Sequence, residues 1–365
     1  MEIIVIICIT IYIFTLFILL ITSFSTSEKN IKTKYPSVSI IIPFRNEETN
    51  LPSLLSDLQH LDYPKSKLEI ILTNDHSTDH SYEIITSAIS KKEHRFSIKL
   101  TTLPQNKTGK KEALIHSALE SNGTLLLFTD ADCHLQPTWV KSMTTSFRND
   151  IKMVLGRVEL SGNSFLQKLQ TLEFWALMRI THSAVELKKP FLANGANLLI
   201  EKSVFLALSH ELKNQYASGD DVFLLQAVYN IYGADAITFN NKQKATVYTN
   251  GKHSFSEFLQ QRQRWASKTK GMTLTSGYLF ALLLSLGNIA LLLSFLIWNL
   301  DFFFRIFLLK WGIEALFILP DVISQKRTDL LILTPFISIL YPFYQAYIIF
   351  TQNTTIQWKG RNIKH

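Results

Sequence analysis

The sequence predicts an α/β domain with a mostly parallel sheet, flanked by transmembrane α-helices. Three observations predict it. Apolar and charged residues are segregated: hydrophobic content is 47% and mean hydropathy +0.13, yet 37 Lys/Arg and 29 Asp/Glu remain. From Ser37 onward, short apolar runs alternate with helix-length segments, the pattern of βαβ units. Before and after this stretch lie apolar runs of about twenty residues, enough to cross a bilayer.

The first such run is Ile3–Ile21. A secretory signal peptide is the alternative reading, but a basic leading region and a small-residue cleavage site are both missing. Lys29, Lys32 and Lys34 follow the run, whereas Glu2 precedes it, so the positive-inside rule puts the following segment in the cytoplasm. An uncleaved anchor over 1–24 is expected.

Val38–Ile42 is a β-branched run closed by Pro43, which suits a strand buried on both faces. Helices are expected over Glu47–His60, Asp79–Ser90 and Lys110–Glu120, and strands over Leu68–Thr73, Ile98–Leu103 and Leu125–Thr129. A parallel sheet of this kind binds ligands at the carboxyl ends of its strands. The domain is expected to run over 37–271, with an interfacial helix over 255–271.

The texture changes after Gly271. Membrane or interfacial helices are expected over 272–352, from the apolar segments Tyr278–Leu300, Phe302–Pro320 and Leu330–Phe350. Three spans would place the basic tail 353–365, with Lys359, Arg361 and Lys364, on the outer side, against the positive-inside rule. Phe302–Pro320 carries Arg305, Lys310 and Glu314, so it is the candidate for a surface-lying helix.

The net charge of +8 points to anionic company. Much of it lies beside apolar segments, which favours a membrane surface. Zinc-finger spacing and arginine-rich tracts are missing, so nucleic acid is not an expected partner. Cys8 and Cys133 are too isolated for a disulfide framework.

Five polar motifs carry chemistry. Asp130-Ala131-Asp132 follows a strand, where two carboxylates one residue apart suit a hard divalent cation, Mg2+ or Mn2+; a solvated turn carries the same pattern. Asn74-Asp75-His76-Ser77-Thr78-Asp79 follows another strand: Asp75 suits hydrogen bonds from a nucleotide base, and the later residues suit helix capping. Gly109-Lys110-Lys111 opens a helix and suits phosphate contact, or a solvated basic turn. In Ser218-Gly219-Asp220-Asp221, acids at a helix start are electrostatically favourable, and one of them also suits a general base. In Gln261-Arg262-Gln263-Arg264-Trp265, helical spacing puts Gln261, Arg264 and Trp265 on one face. An interfacial helix with a membrane-seeking Trp gives the same pattern.

In this order and spacing, the motifs resemble the family 2 glycosyltransferases of the GT-A fold, in their membrane-associated branch. The resemblance covers about residues 37–271. Ser39–Glu47 looks like the family's opening strand and nucleotide loop, which implies nucleotide-sugar binding by Pro43, Arg45 and Glu47. Asp75 matches the base-contacting acid and Lys110 the Gly-Lys lysine. Asp130 and Asp132 match the metal-binding pair, with Asp130 also on the donor. Asp221, with Asp220 beside it, matches the catalytic acid motif. Gln261, Arg264 and Trp265 match Gln-x-x-Arg-Trp, which implies diphosphate and acceptor contact. Asn74 stands where many relatives have aspartate, and Asp220 where glutamate is common. The stretch 192–197 resembles the acceptor-side loop, whose small residues permit close approach.

The resemblance implies an integral membrane enzyme of the bacterial cell membrane with a cytoplasmic catalytic domain. It implies inverting, metal-dependent transfer from a nucleotide sugar, read as UDP-linked, to a lipid or lipid-linked glycan acceptor. A processive polysaccharide synthase shares every motif, and a non-catalytic nucleotide-binding membrane protein shares the base and phosphate contacts. Product length and nucleotide-sugar hydrolysis separate these readings.

Overall fold

The computed structural model describes residues 1–25, 35–91, 95–148, 150–212, 219–267, 271, 273–297, 299–351, 356–358 and 361–363. Lys29, Lys32, Lys34, Ser218, Lys359 and Lys364, singled out above, lie outside these residues, as do residues 268–270 of the expected interfacial helix.

The chain begins with α1 (Glu2–Thr22), β1 (Val38–Phe44), α2 (Leu51–Gln59), β2 (Leu68–Asn74), α3 (Ser81–Ser90), β3 (Ser97–Thr102), α4 (Lys110–Leu119) and β4 (Leu125–Phe128). It continues through β5 (Cys133–His134), α5 (Trp139–Thr145), β6 (Met153–Gly156), β7 (Val158–Ser161), α6 (Phe165–Glu186), β8 (Leu198–Glu201), α7 (Lys202–Leu208) and α8 (Asp220–Tyr232). It ends with β9 (Ile237–Asn240), β10 (Val247–Asn250), α9 (Phe255–Ser267), α10 (Thr275–Leu296), α11 (Leu300–Ser324), α12 (Thr334–Thr351), β11 (Ile356–Trp358) and β12 (Arg361–Ile363).

These elements form two compact units. One holds Glu28–Glu159, Leu192–Asn250 and Gln357–His365; the other holds Met1–Ser27, Leu160–Phe191 and Gly251–Ile356. The division differs from the continuous 37–271 domain read from sequence. α6 and α9 belong with the apolar helices, because their buried faces pack there.

The α/β unit is built on a seven-stranded sheet of order β3-β2-β1-β4-β8-β6-β9. β3, β2, β1 and β4 are mutually parallel, and β8 is antiparallel to both of its neighbours. The runs Ile40–Ile42, Ile70–Leu72 and Leu126–Leu127 are inaccessible, as strands covered on both faces must be. Each such side chain contributes about 1.5–3 kcal/mol of burial energy. β1 does not stop before Pro43 but runs through it to Phe44. Pairing with β4 ends at Ile41, so the proline lies where β1 has lost that neighbour.

This topology fixes where the polar motifs go. β1, β2 and β4 end at one edge of the sheet, followed by Arg45, Asp75 and Asp130. The reversed β8 starts at that edge, with Leu198 opposite Phe128. It therefore delivers the loop 192–197 there.

In the other unit, Glu2–Thr22, Thr275–Leu296 and Thr328–Thr351 are long and apolar enough to cross a membrane. α6 and α9 are joined by a buried ion pair: the Arg262 guanidinium donates to Glu173 Oε2 at 2.6 and 3.0 Å. The 302–320 segment, expected to lie on a surface, is part of the 25-residue α11, and its Lys310 is fully buried.

Candidate active site

The centre of the site is Lys110, at the start of α4. Its ammonium lies 2.5 Å from Asp130 Oδ1 and 3.9 Å from Asp220 Oδ2. Gly109, before it, has φ +101°, a conformation that side chains rarely adopt. Its N–H donates to Asp75 Oδ2 at 3.0 Å. Thus the acid after β2 holds the turn that aims Lys110 at the acid after β4. Asp75 is only 2% exposed, so the base-facing role read from sequence has to share this carboxylate with the turn. Lys111 takes another course, with its ammonium over the Phe223 ring of α8 at 5.2 Å.

Burial works against the Lys110 charge, but the carboxylates of Asp130, Asp220 and Asp221 outweigh it and hold the pKa well above the ordinary value. Asp220 is buried, and its pKa is raised, first by burial, then by the charges of Asp221 and Asp130, with Lys110 opposing. Asp221 accepts from the Val222 N–H at 2.8 Å and the Gly195 N–H at 3.3 Å. A Cβ at Gly195 would lie 3.3 Å from Asp220 Oδ2 and 3.5 Å from Lys110 Nζ, so the loop backbone closes one side of the cluster.

Around this centre, Arg45 donates to the carbonyls of Asp75 and His76 at 2.7 and 2.6 Å. Glu47 is engaged in its own turn: its N–H donates to Ser81 Oγ, and its carboxylate accepts from Asn50. Asp132 is half-buried beside Cys133, whose thiol is pushed up by burial and then by the charges of Asp132 and Asp130.

The structure thus brings Lys110, Asp130, Asp220 and Asp221 together, with Asp75 and Arg45 adjoining. Gln261, Arg264 and Trp265 belong to the other compact unit. There the buried member of the motif is Arg262, which was not singled out. Its guanidinium stacks on Trp265 at 4.2 Å and donates to Gln261 Oε1. Asn197 was read as part of a small-residue loop, but it is a buried hub. It accepts from Trp139 Nε1 at 2.9 Å and donates to the carbonyls of Arg157 and Ala245 at 2.7 and 2.8 Å. The Arg157–Glu159 ion pair, 2.7 Å and buried, was also missed. Its i, i+2 spacing, from the single residue that separates β6 from β7 into β7, was the available signal.

Among known proteins, the family model described as "Glycosyl transferase family 2" matches residues 39–208, just under half of the chain. Over these residues the chain is similar to glycosyltransferases of family 2, and the similar curated proteins carry glycosyltransferase names. A probable glycosyltransferase, YdaM, from Bacillus subtilis (strain 168) is 27% identical over 259 residues, covering 67% of this chain and 59% of the relative. An N-acetylglucosaminyltransferase from Rhizobium meliloti (strain 1021) is 26% identical over 250 residues, covering 64% and 56%. The chain therefore spans less than two thirds of the length of these relatives. The solved structure of the mannosyltransferase PcManGT from Pyrobaculum calidifontis, in complex with GDP-Man and Mn2+, superposes with a TM-score of 0.61 at 14% identity, covering 95% of this chain and 96% of that one. This likeness supports a GT-A-like fold with a mostly parallel sheet for the α/β unit.

Proposed function

We propose that the protein is a membrane-bound, inverting glycosyltransferase that moves a sugar from a nucleotide sugar, read as UDP-linked, to a lipid or lipid-linked glycan acceptor. The observation that carries this reading is the convergence of Lys110 with Asp130, Asp220 and Asp221 at the carboxyl edge of the sheet. One ammonium among three acids leaves the cluster net negative, which suits a donor whose diphosphate brings a divalent cation with it.

In this reading Lys110 binds a donor phosphate, and Arg45 and Asp75 lie toward the base. Asp221, oriented by two backbone N–H groups, takes the proton from the acceptor hydroxyl as that oxygen attacks the anomeric carbon. Asp220 lies beside it, with its pKa raised by burial.

Asp130 and Asp132 fit a divalent cation. They are hard oxygen donors, and among the described residues no group of three or more His, Cys, Asp or Glu gathers into an all-protein cage. Asp130 and Asp132 would hold Mg2+ or Mn2+, hard cations that favour oxygen ligands. When bound, it would neutralise charge on the departing diphosphate. The role of Gln261, Arg264 and Trp265 toward diphosphate and acceptor rests on the motif alone. Three membrane-length helices support a membrane location, and the positive-inside rule supports a cytoplasmic domain.

The test is a donor panel of UDP- and GDP-linked sugars, with native membranes as acceptor and mass analysis of the product lipids. Asp130→Asn and Asp221→Asn are each expected to abolish transfer while the protein still inserts. Full activity in either variant would remove that residue from the mechanism. If the purified protein binds nucleotide sugar but neither transfers nor hydrolyses it, the non-catalytic reading wins.

A further inference from the structure

α11 carries Asp301, Arg305, Lys310, Glu314 and Asp321, a charge load that excludes it from a simple hydropathy criterion. The positions of those charges tell a different story. Lys310 Nζ donates to Glu314 Oε1 at 2.6 Å and to the Ser338 carbonyl at 2.9 Å, and Glu314 also accepts from the Tyr12 hydroxyl at 2.6 Å. Asp321 is 3% exposed and receives two hydrogen bonds from Arg179 of α6. Asp301 and Arg305 are exposed and pair with each other at the start of the helix; beyond them the apolar Leu308, Leu309 and Leu316 face outward, as does Phe304. A helix lying on a membrane surface has the opposite arrangement, charge outward and apolar inward. Twenty-five residues make a helix of about 37 Å, longer than the roughly 30 Å hydrocarbon core.

The direction of α11 is also fixed. Arg179 donates both to Asp321, near the end of α11, and to Ser23, just after α1. The carboxyl ends of α1 and α11 are therefore at one level, on the side that carries α6.

The segment 328–351 behaves differently. At its start, Asp329 pairs with Lys168 of α6 at 3.0 Å. At its end, Thr351 Oγ1 accepts from Gln263 of α9 at 2.9 Å. α6 and α9 are themselves joined by Arg262 and Glu173, so both ends of the segment are fastened to one helix pair. Between them the segment reaches the middle of the bundle. Thr334 accepts from Trp311 at 2.8 Å, and Gln345 donates to Ser285 of α10 at 2.9 Å.

We propose that α11 crosses the bilayer and that 328–351 is a re-entrant segment, entering and leaving on the side of α6 and α9, with lipid acyl chains covering the exposed apolar side chains of both. This rests on the membrane reading above. It reverses the two assignments that hydropathy favours. It also fits the positive-inside rule for the basic tail sequence 353–365, which three ordinary spans would violate.

Single-cysteine accessibility decides the matter. Asp301→Cys, Thr328→Cys and Asn362→Cys are labelled with a membrane-impermeant maleimide in intact cells and in inside-out vesicles. The parent, with half-buried Cys8 and buried Cys133, sets the background. The expected result is labelling of position 301 in intact cells only, and of 328 and 362 in inside-out vesicles only. Labelling of both 301 and 328 in intact cells would mean a surface-lying α11, and labelling of 301 and 362 there would mean three ordinary spans. Either result overturns the proposal. Reporter fusions after Asn299, Arg327 and Thr351 read the same three sides if a cysteine variant fails to accumulate. Release of the parent from membranes by alkaline carbonate would instead sink the membrane reading itself, and this proposal with it.

Discussion

Gly195 illustrates how little room the candidate site leaves. A methyl group there would lie 3.3 Å from Asp220 Oδ2 and 3.5 Å from Lys110 Nζ, tighter than most real contacts with the first of them. The loop or the carboxylate must then shift by a few tenths of an ångström, and reacting groups displaced by up to about 1 Å lose up to roughly 100-fold in rate. Gly195→Ala is therefore expected to lower kcat/KM by about 10- to 100-fold with little change in Tm. Unchanged kinetics would show that the 192–197 loop is remote from the reacting groups. The sequence made Gly195 legible as a point of close approach, because small residues cluster there. It did not make Asn197 legible: an asparagine in a polar loop reads as exposed, and its three buried hydrogen bonds come from residues distant in sequence.

At the scale of elements, two polar links hold the parts in register. Glu69 of β2 accepts from the Ser39 hydroxyl of β1 and from the N–H groups of Asn122 and Gly123, which lead into β4. One carboxylate thus joins the amino ends of three adjacent strands. Burial raises its pKa, but these hydrogen bonds outweigh burial and hold it below the ordinary 4.5. A depressed acid stabilises the fold above its unfolded pKa and loses that contribution as pH falls through the folded value. Glu69→Gln is expected to cost about 1–3 kcal/mol at pH 7, with the gap from the parent shrinking below pH 4.5. Thermal unfolding across pH checks both, and a gap that stays constant into acid would deny the carboxylate its role. The second link is Arg262–Glu173, with both side chains under 10% exposed. Glu173→Ala leaves a buried, unpaired guanidinium, and an expected loss of about 3–5 kcal/mol. Pairing it with Arg262→Met should recover most of that loss in unfolding experiments in detergent; no recovery would mean that Glu173 acts through other contacts. The parallel strands were readable because their side chains are buried on both faces, which leaves unbroken apolar runs such as Ile40–Ile42. The reversal of β8 was not readable, since strand direction leaves no mark on a four-residue run.

At the scale of the molecule, the sequence separated polar from apolar stretches but did not reveal the partners of the charged residues within the apolar ones. Lys310 of α11 was read as suiting a surface-lying helix, and Arg179 and Glu173 of α6 were not singled out, yet each is buried against a partner far along the chain. The same long-range partners tie α1 into the helical unit. Tyr12 donates to Glu314, Ser23 accepts from Arg179, and the Leu19 carbonyl accepts from Ser183 of α6. Removing residues 1–24 would leave those groups without their partners and expose the apolar faces of α10 and α11. Losing about three such contacts at about 1–1.5 kcal/mol each predicts a Tm in detergent lower by roughly 10 °C, at about 2–4 °C per kcal/mol. The truncated chain is also expected to stay in the membrane pellet, because α10 and α11 remain, with Leu279, Leu282 and Phe304 facing outward. A truncated chain that is soluble and monodisperse without detergent, with the Tm of the parent, would show that the helical unit does not depend on α1. In that case the buried contacts of Tyr12 and Ser23 would contribute nothing measurable to the fold.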